Sequence, residues 1–286
     1  VTDVELGTDG NPDLTTGFDF DATVTIENVG ETDIESSGPM EVSISGFFPE
    51  DFGIASTDIA SKLVGPVPES GVELFEGVKK NPDGNRIQGD ITQVTFPLSG
   101  KFKYSKVLAG NQVFPFRVEA CYPYETKVLS QVCLMEELTS TEKTVCNPTG
   151  SKPVSNSGAP IHVTSVTQSI GGKHKLLLNF DIQQVGSSDL FLNGCGDGFT
   201  NKDRITVLVN TGLGGLKCLG LLGDDGPVGD DAYSGDVLLS DGRASFTCIQ
   251  TLETEDQIDS VKTFELSLTY YARDSISQNV LVKHLI

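Results

Sequence analysis

The chain has 286 residues, long enough for two domains, and a formal charge of -20 from 40 acidic against 20 basic side chains. That charge repels nucleic-acid phosphates, which excludes nucleic acid as a partner, and it works against binding to an anionic membrane surface. No apolar run reaches the ~18–20 residues a membrane-spanning helix needs, and recurring clusters of valine, isoleucine, leucine and phenylalanine exclude a disordered chain.

Alternation of apolar and polar residues with a period of two runs through the chain, while helical periodicity is nearly absent. Val1, Val4 and Leu6 already read as a strand, and 7–17 as the connection after it. Phe18, Phe20, Ala22, Val24 and Ile26 share one face of the next strand. Met40 to Ser45 repeats the pattern, and a long insertion around 50–90 follows, with a helical turn expected at 57–64. Strands are expected at 92–98, 113–118 and 128–134. Residues 149–158, rich in Gly, Pro, Ser and Asn, read as a linker. Beyond it strands are expected at 161–166, 176–182, 205–209, 244–249, 264–270 and 280–282. Short strands bounded by turn residues predict an all-β protein of two tandem immunoglobulin-like β-sandwich domains, 1–148 and 159–286.

The chain also repeats itself. Ile26-Glu27-Asn28-Val29-Gly30 recurs as Ile182-Gln183-Gln184-Val185-Gly186, each closing a strand before a turn at which glycine is expected to supply a positive φ. Tyr122-Pro123-Tyr124 followed by Val132-Cys133-Leu134 is echoed by Tyr270-Tyr271 followed by Val280-Leu281-Val282. Both echoes read as a final hairpin, turning near Lys127 in the first copy. Two copies of one sandwich account for the repeats.

At these residues the chain resembles a known family. Ile-x-Asn-x-Gly closing an early strand is similar to the CARDB type of immunoglobulin-like domain found in archaeal and bacterial surface proteins. Ile44-Ser45-Gly46-Phe47, Asn81-Pro82-Asp83-Gly84, Cys121-Tyr122-Pro123-Tyr124 and Gly158-Ala159-Pro160-Ile161 further resemble exported proteins of small-genome archaea. The resemblance covers most of the first domain and the entry to the second. Its motifs are structural, so it implies a fold and an exterior location without implying catalytic residues. The second domain departs from it by lacking the Cys pair around the last hairpin.

Six cysteines, an even number in a β-rich chain, point to disulfides and an oxidising compartment. A zinc site is disfavoured because no two lie at C-x2-C spacing. Of the fifteen connectivities six cysteines allow, the preferred one joins Cys121 to Cys133 across the hairpin and Cys218 to Cys248 between two strands, leaving Cys146 with Cys195. Asp224, Asp225, Asp230, Asp231 and Asp236 crowd one expected loop. They are candidate calcium ligands, since calcium takes six to eight oxygens, although no segment has EF-hand spacing and a solvated acidic turn is the plainer reading. Asp9 with Asp13, and Asp197 with Asn201 and Asp203, are smaller clusters of the same kind.

Catalytic signatures are missing from the sequence. Residues 211–218 contain glycines and a lysine but fit neither phosphate-binding fingerprint, and no helix follows. His162, His174 and His284 read as ordinary strand residues, with no nucleophile elbow to pair with. Neither catalytic nor cofactor-binding residues are expected, calcium apart. Without tryptophan, sugar stacking would fall to the six tyrosines. The chain begins at Val1 with no initiator Met, which suggests a removed leader. These readings lead to an extracellular, cell-surface protein that is no enzyme: a structural subunit of a filament, sheath or surface layer. The alternative is an adhesin or a ligand- or glycan-binding module. The expected partners are copies of the chain itself in a head-to-tail polymer, with residues 1–6 (Val1, Val4, Leu6) as the donated strand.

Overall fold

The computed structural model describes residues 3–7, 14–15, 19–35, 38–63, 74–138, 145–196, 198, 200–253, 256 and 258–283, of which 3–7, 14–15, 61–63 and 224–225 by their backbone alone. Over these residues the fold is all-β. Among its helical pieces there are two 3-10 turns, Pro49–Phe52 and Ser56–Ile59. The second lies where a helical turn is expected, but runs straight into a strand, Ala60–Leu63.

Two strands are far longer than the sequence pattern suggests, Gln112–Leu134 with 23 residues and Ser260–Lys283 with 24. Both expected final hairpins lie inside them, so neither hairpin exists. The burial pattern gives the reason. Phe116, Val118, Ala120, Tyr124, Thr126, Val128, Ser130 and Val132 are all buried, and all are even-numbered. Phe264, Leu266, Leu268, Tyr270, Ala272, Val280 and Val282 keep the same phase. A turn would have broken that phase; a continuous pleat preserves it.

These long strands also determine how the chain divides. One compact unit is Val1–Pro123 with Ala272–Ile286, and the other is Tyr124–Tyr271. Each long strand therefore contributes to both units. The expected linker at 149–158 is itself structured: Gly150–Lys152 pairs with Ile161–Gly172, and Val154–Asn156 pairs with Gln112–Leu134.

In the first unit Asp19–Glu27 is a central strand, flanked antiparallel by Asp3–Gly7 and Ile91–Phe96. It buries Phe20, Ala22, Val24 and Ile26. A second sheet contains Met40–Ser45, with Val42 opposite Ala120 and Ile44 opposite Val118, and beyond it Ala60–Leu63. Val280 and Val282, from the far end of the chain, belong to this unit's core. Phe20, Phe47, Phe52, Phe102 and Phe116 cluster at one place in that core, with Phe47 and Phe116 stacked at 4.2 Å between centroids.

In the second unit one sheet runs in the order Gly150–Lys152, Ile161–Gly172, Lys175–Gln184, Arg243–Thr251, Leu216–Leu219. Another contains Leu222–Val228, Ala232–Leu238 and Arg204–Asn210, followed by Ser260–Lys283. The core lies on the faces carrying Leu178, Phe180, Val207, Val209, Phe246, Phe264 and Leu268. Phe180 stacks on Phe246 at 4.7 Å and meets Phe264 edge-on at 6.1 Å.

The repeated pentapeptide does equivalent work in both units. The Asn28 amide donates to the Thr32 carbonyl at 3.0 Å, four residues on, and to the Phe75 carbonyl at 3.1 Å. The Gln184 amide donates to the Ser188 carbonyl, also four residues on, at 2.6 Å. The glycine's role differs from expectation, because neither Gly30 nor Gly186 has a positive φ. Gly186 is needed for space: a Cβ there would stand 2.7 Å from Cβ of Pro160.

Candidate functional site

All six cysteines are disulfide-bonded. Cys218 and Cys248 pair as expected; they face each other directly on neighbouring antiparallel strands, with Cα atoms 3.9 Å apart, and both are buried. Cys133 bonds Cys146, with Cα atoms 5.8 Å apart, and neither Cys121–Cys133 nor Cys146–Cys195 forms. The physical reason is the missing hairpin. Cys121 and Cys133 lie on one continuous strand, Gln112–Leu134, with no turn between them to bring their Cα atoms within disulfide reach.

The segment 224–236 is not a loop. It is a hairpin of Leu222–Val228 and Ala232–Leu238 with its turn at 229–231. Asp230 and Asp231 sit at that turn, while Asp236 lies down the strand opposite Leu222 and Thr206. Five residue steps, mostly of extended chain, separate Asp231 from Asp236, about 16 Å. Asp236 already accepts a hydrogen bond from the Thr206 hydroxyl at 2.9 Å. The side chains of Asp224 and Asp225 lie outside the described residues. Among the described residues no group of three or more His, Cys, Asp and Glu side chains converges as a cation would require. In the smaller cluster, the Asn201 side-chain oxygen accepts from the backbone N–H of Asn193 at 2.7 Å and its NH2 donates to the Gly194 carbonyl at 2.7 Å, which closes the 193–201 turn. Asp9, Asp13 and Asp197 lie outside the described residues.

His162 lies on a strand opposite Gln183, and His174 lies in the turn before Lys175. Nε2 of His162 and Nδ1 of His174 are buried without hydrogen-bond partners among the described residues. Over 211–218 the Gly-rich segment is held from below by Gln250. The Gln250 amide donates to the Gly214 carbonyl at 2.6 Å, and its oxygen accepts from the Thr211 hydroxyl at 2.7 Å. These bonds clasp the segment onto the sheet.

The first strand also departs from its expected role. Asp3–Gly7 pairs antiparallel within its own unit, Val4 opposite Val24 and Leu6 opposite Ala22. It fills an edge of its own sheet and is no free donor; Val1 lies outside the described residues.

One concavity went unread in the sequence. A polar recess of about 480 Å³ lies on the second unit's five-stranded sheet, lined by Thr164, Asp181, Gln183, Arg243 and Ser245. It opens where Ile161–Gly172 bulges between Val163 and Ser165, freeing the Thr164 hydroxyl to donate to the Asp181 carbonyl at 3.3 Å. Asp181 faces Ser245 and Gln183 faces Arg243 across the strands. The recess thus presents a carboxylate, a guanidinium, an amide and hydroxyls on neighbouring strands, a set able to accept from and donate to a hydroxyl-rich ligand. Its members come from three strands, so sequence spacing gives no signal for it.

No family model matches this chain, and no curated protein matches it. Among solved structures, one described as the complete structure of manganese lipoxygenase of Gaeumannomyces graminis and partial structure of zonadhesin of Komagataella pastoris aligns over 99% of this chain and 93% of that chain. It shares 9% identity at a TM-score of 0.13. No helix among the described residues is long and apolar enough to cross a membrane.

Proposed function

We propose that this chain is an exported structural subunit that self-assembles outside the cell, in a filament, sheath or surface layer. The observation carrying this reading is the complete oxidation of its cysteines in an all-β chain. Disulfides persist outside reducing compartments and suit a protein that must last there. The repeated Asn28 and Gln184 turns support a pair of related immunoglobulin-like sandwiches, and the resemblance to CARDB domains supports an archaeal surface setting. Electron microscopy of native material tests it. Regular polymers of this chain are expected, and dispersed monomers at every concentration and salt condition would overturn it.

The polar recess favours a second reading, a module that binds a hydroxyl-rich ligand such as a glycan. Binding on a glycan array that is lost in Asp181→Ala would support it, and a silent array would remove it.

A further inference from the structure

Sheet edges decide which surfaces two β proteins can share, because an edge strand presents unpaired N–H and C=O groups. Most edges in this chain are blunted. Asp3–Gly7 carries Asp3 and Glu5, Ala60–Leu63 carries Lys62, and Leu216–Leu219 has four residues with Lys217 among them. Leu222–Val228 carries Asp224, Asp225 and Pro227 and slips register between Leu222 and Gly226. Gly150–Lys152 is blunted by its length of three residues. Each device is a known guard against edge pairing.

Ile91–Phe96 has none of them. Its six residues, Ile91, Thr92, Gln93, Val94, Thr95 and Phe96, include no charge and no proline, and its register against Asp19–Glu27 is unbroken. Among the described residues its other side has no strand partner. The hydrogen-bond phase follows from the step just before it, where the backbone N–H of Asn28 donates to the Asp90 carbonyl at 3.0 Å. In an antiparallel ladder alternate residues bond inward, so Thr92, Val94 and Phe96 bond to the central strand. The N–H and C=O of Ile91, Gln93 and Thr95 therefore point away from it. The side chains of these same three residues are exposed, Ile91 by 54%.

We infer that Ile91–Phe96 is a self-pairing edge, at which two copies of this chain join antiparallel about a two-fold axis at Gln93. The inference rests on the self-assembling reading and names its contact surface. In this register Gln93 faces the partner's Gln93, and Ile91 faces the partner's Thr95. Uncharged residues meet across the junction, which matters for two chains that each carry -20. A second copy suits the edge because the strand complements itself in this register. Antiparallel pairing is also the more stable and more frequent arrangement. The contact is isologous and closes as a dimer, so a polymer would use it together with another interface.

The test uses the full chain in sedimentation velocity, with wild type, Gln93→Lys and Gln93→Glu. Gln93 is exposed and its one hydrogen bond, to the Thr25 hydroxyl at 3.2 Å, lies on the surface, so melting curves should match wild type. Wild type is expected to dimerise reversibly. Each variant alone places like charges opposite each other and should raise the dimer Kd by roughly tenfold or more. An equimolar mixture of the two should restore the dimer. A monomeric wild type at ~100 µM, a variant that dimerises like wild type, or a mixture that stays monomeric would each overturn the inference. Polymers that persist unchanged in both variants would overturn this contact while leaving the subunit reading in place. A wild-type dimer without polymers would support the contact and count against that reading.

Discussion

Single side chains in this protein stand in for backbone. Gln168 is fully buried; its amide donates to the Cys133 carbonyl at 2.8 Å, and its oxygen accepts from the Cys133 N–H at 2.9 Å. Both groups of one buried peptide are thus satisfied as a neighbouring strand would satisfy them. Gln168→Leu keeps the volume close and leaves both unpaired, at about 1–3 kcal/mol each. Urea unfolding should show a loss of roughly 2–5 kcal/mol, and a loss under 1 kcal/mol would mean water replaces the amide. Tyr270 is a second case. Burial pushes its phenol well above its ordinary value of 10.0, outweighing the opposing hydrogen bond with the Thr126 hydroxyl at 3.0 Å. With the folded value raised, its stabilising contribution is complete below pH 10.0 and falls as the pH rises above that, because the unfolded chain ionises first. Tyr270→Phe should therefore flatten the alkaline limb of stability against pH by up to ~1.4 kcal/mol per pH unit. Denaturant titrations at several pH values above 10 check this, and an unchanged slope would remove Tyr270 as the cause. Neither role was legible in the sequence, where Gln168 and Tyr270 are two more members of an alternating pattern.

At the scale of elements, alternation located most strands and failed at their ends. Met40–Ser45 coincides with the expected strand, and Lys175–Gln184 and Arg204–Asn210 extend theirs by one or two residues. The misses share a cause. Gln112–Leu134 contains Pro115, Pro123 and adjoining tyrosines, which punctuate a sequence, yet the side-chain phase carries through them. Turn residues are a local signal, whereas continuity of a pleat is read only from which face each residue buries. That error also hid the disulfide partners of Cys121 and Cys133. The repeated Asn/Gln turn was legible in position, though its glycine acts by space. Gly186→Ala would bring its Cβ to 2.7 Å from Cβ of Pro160 and 3.0 Å from its Cα, both on a rigid ring. A cost of about 1–3 kcal/mol is expected by overpacking. Gly196→Ala, which meets nothing within 4 Å, is the control and should fall within about 0.5 kcal/mol of wild type. Equal melting temperatures for the two variants would refute the steric account.

At the scale of the molecule, the division into units is the largest departure from the sequence reading, and it is directly testable by fragments. A cut in the expected linker would give 1–148 and 159–286. The first fragment loses Val280 and Val282, which are buried in the core of the first unit by virtue of the last strand. The second loses 124–158 and with it Cys133, Cys146, Tyr124 and Thr126, the groups that brace Tyr270 and close one disulfide. Neither fragment has a complete unit, since the observed units are Val1–Pro123 with Ala272–Ile286, and Tyr124–Tyr271. The fragment 124–271 keeps one unit whole, together with the Cys133–Cys146 and Cys218–Cys248 bridges. On the chain-entropy account two bridges of these loop lengths contribute about 3–4 kcal/mol apiece. With Cys195→Ser to avoid an odd thiol, this fragment should be soluble and melt in one cooperative transition, while 159–286 should show no such transition. The reverse pattern, a cooperative 159–286 beside an unfolded 124–271, would restore the tandem division at the linker. It would mean that the two long strands are stitched together by packing that each half can do without.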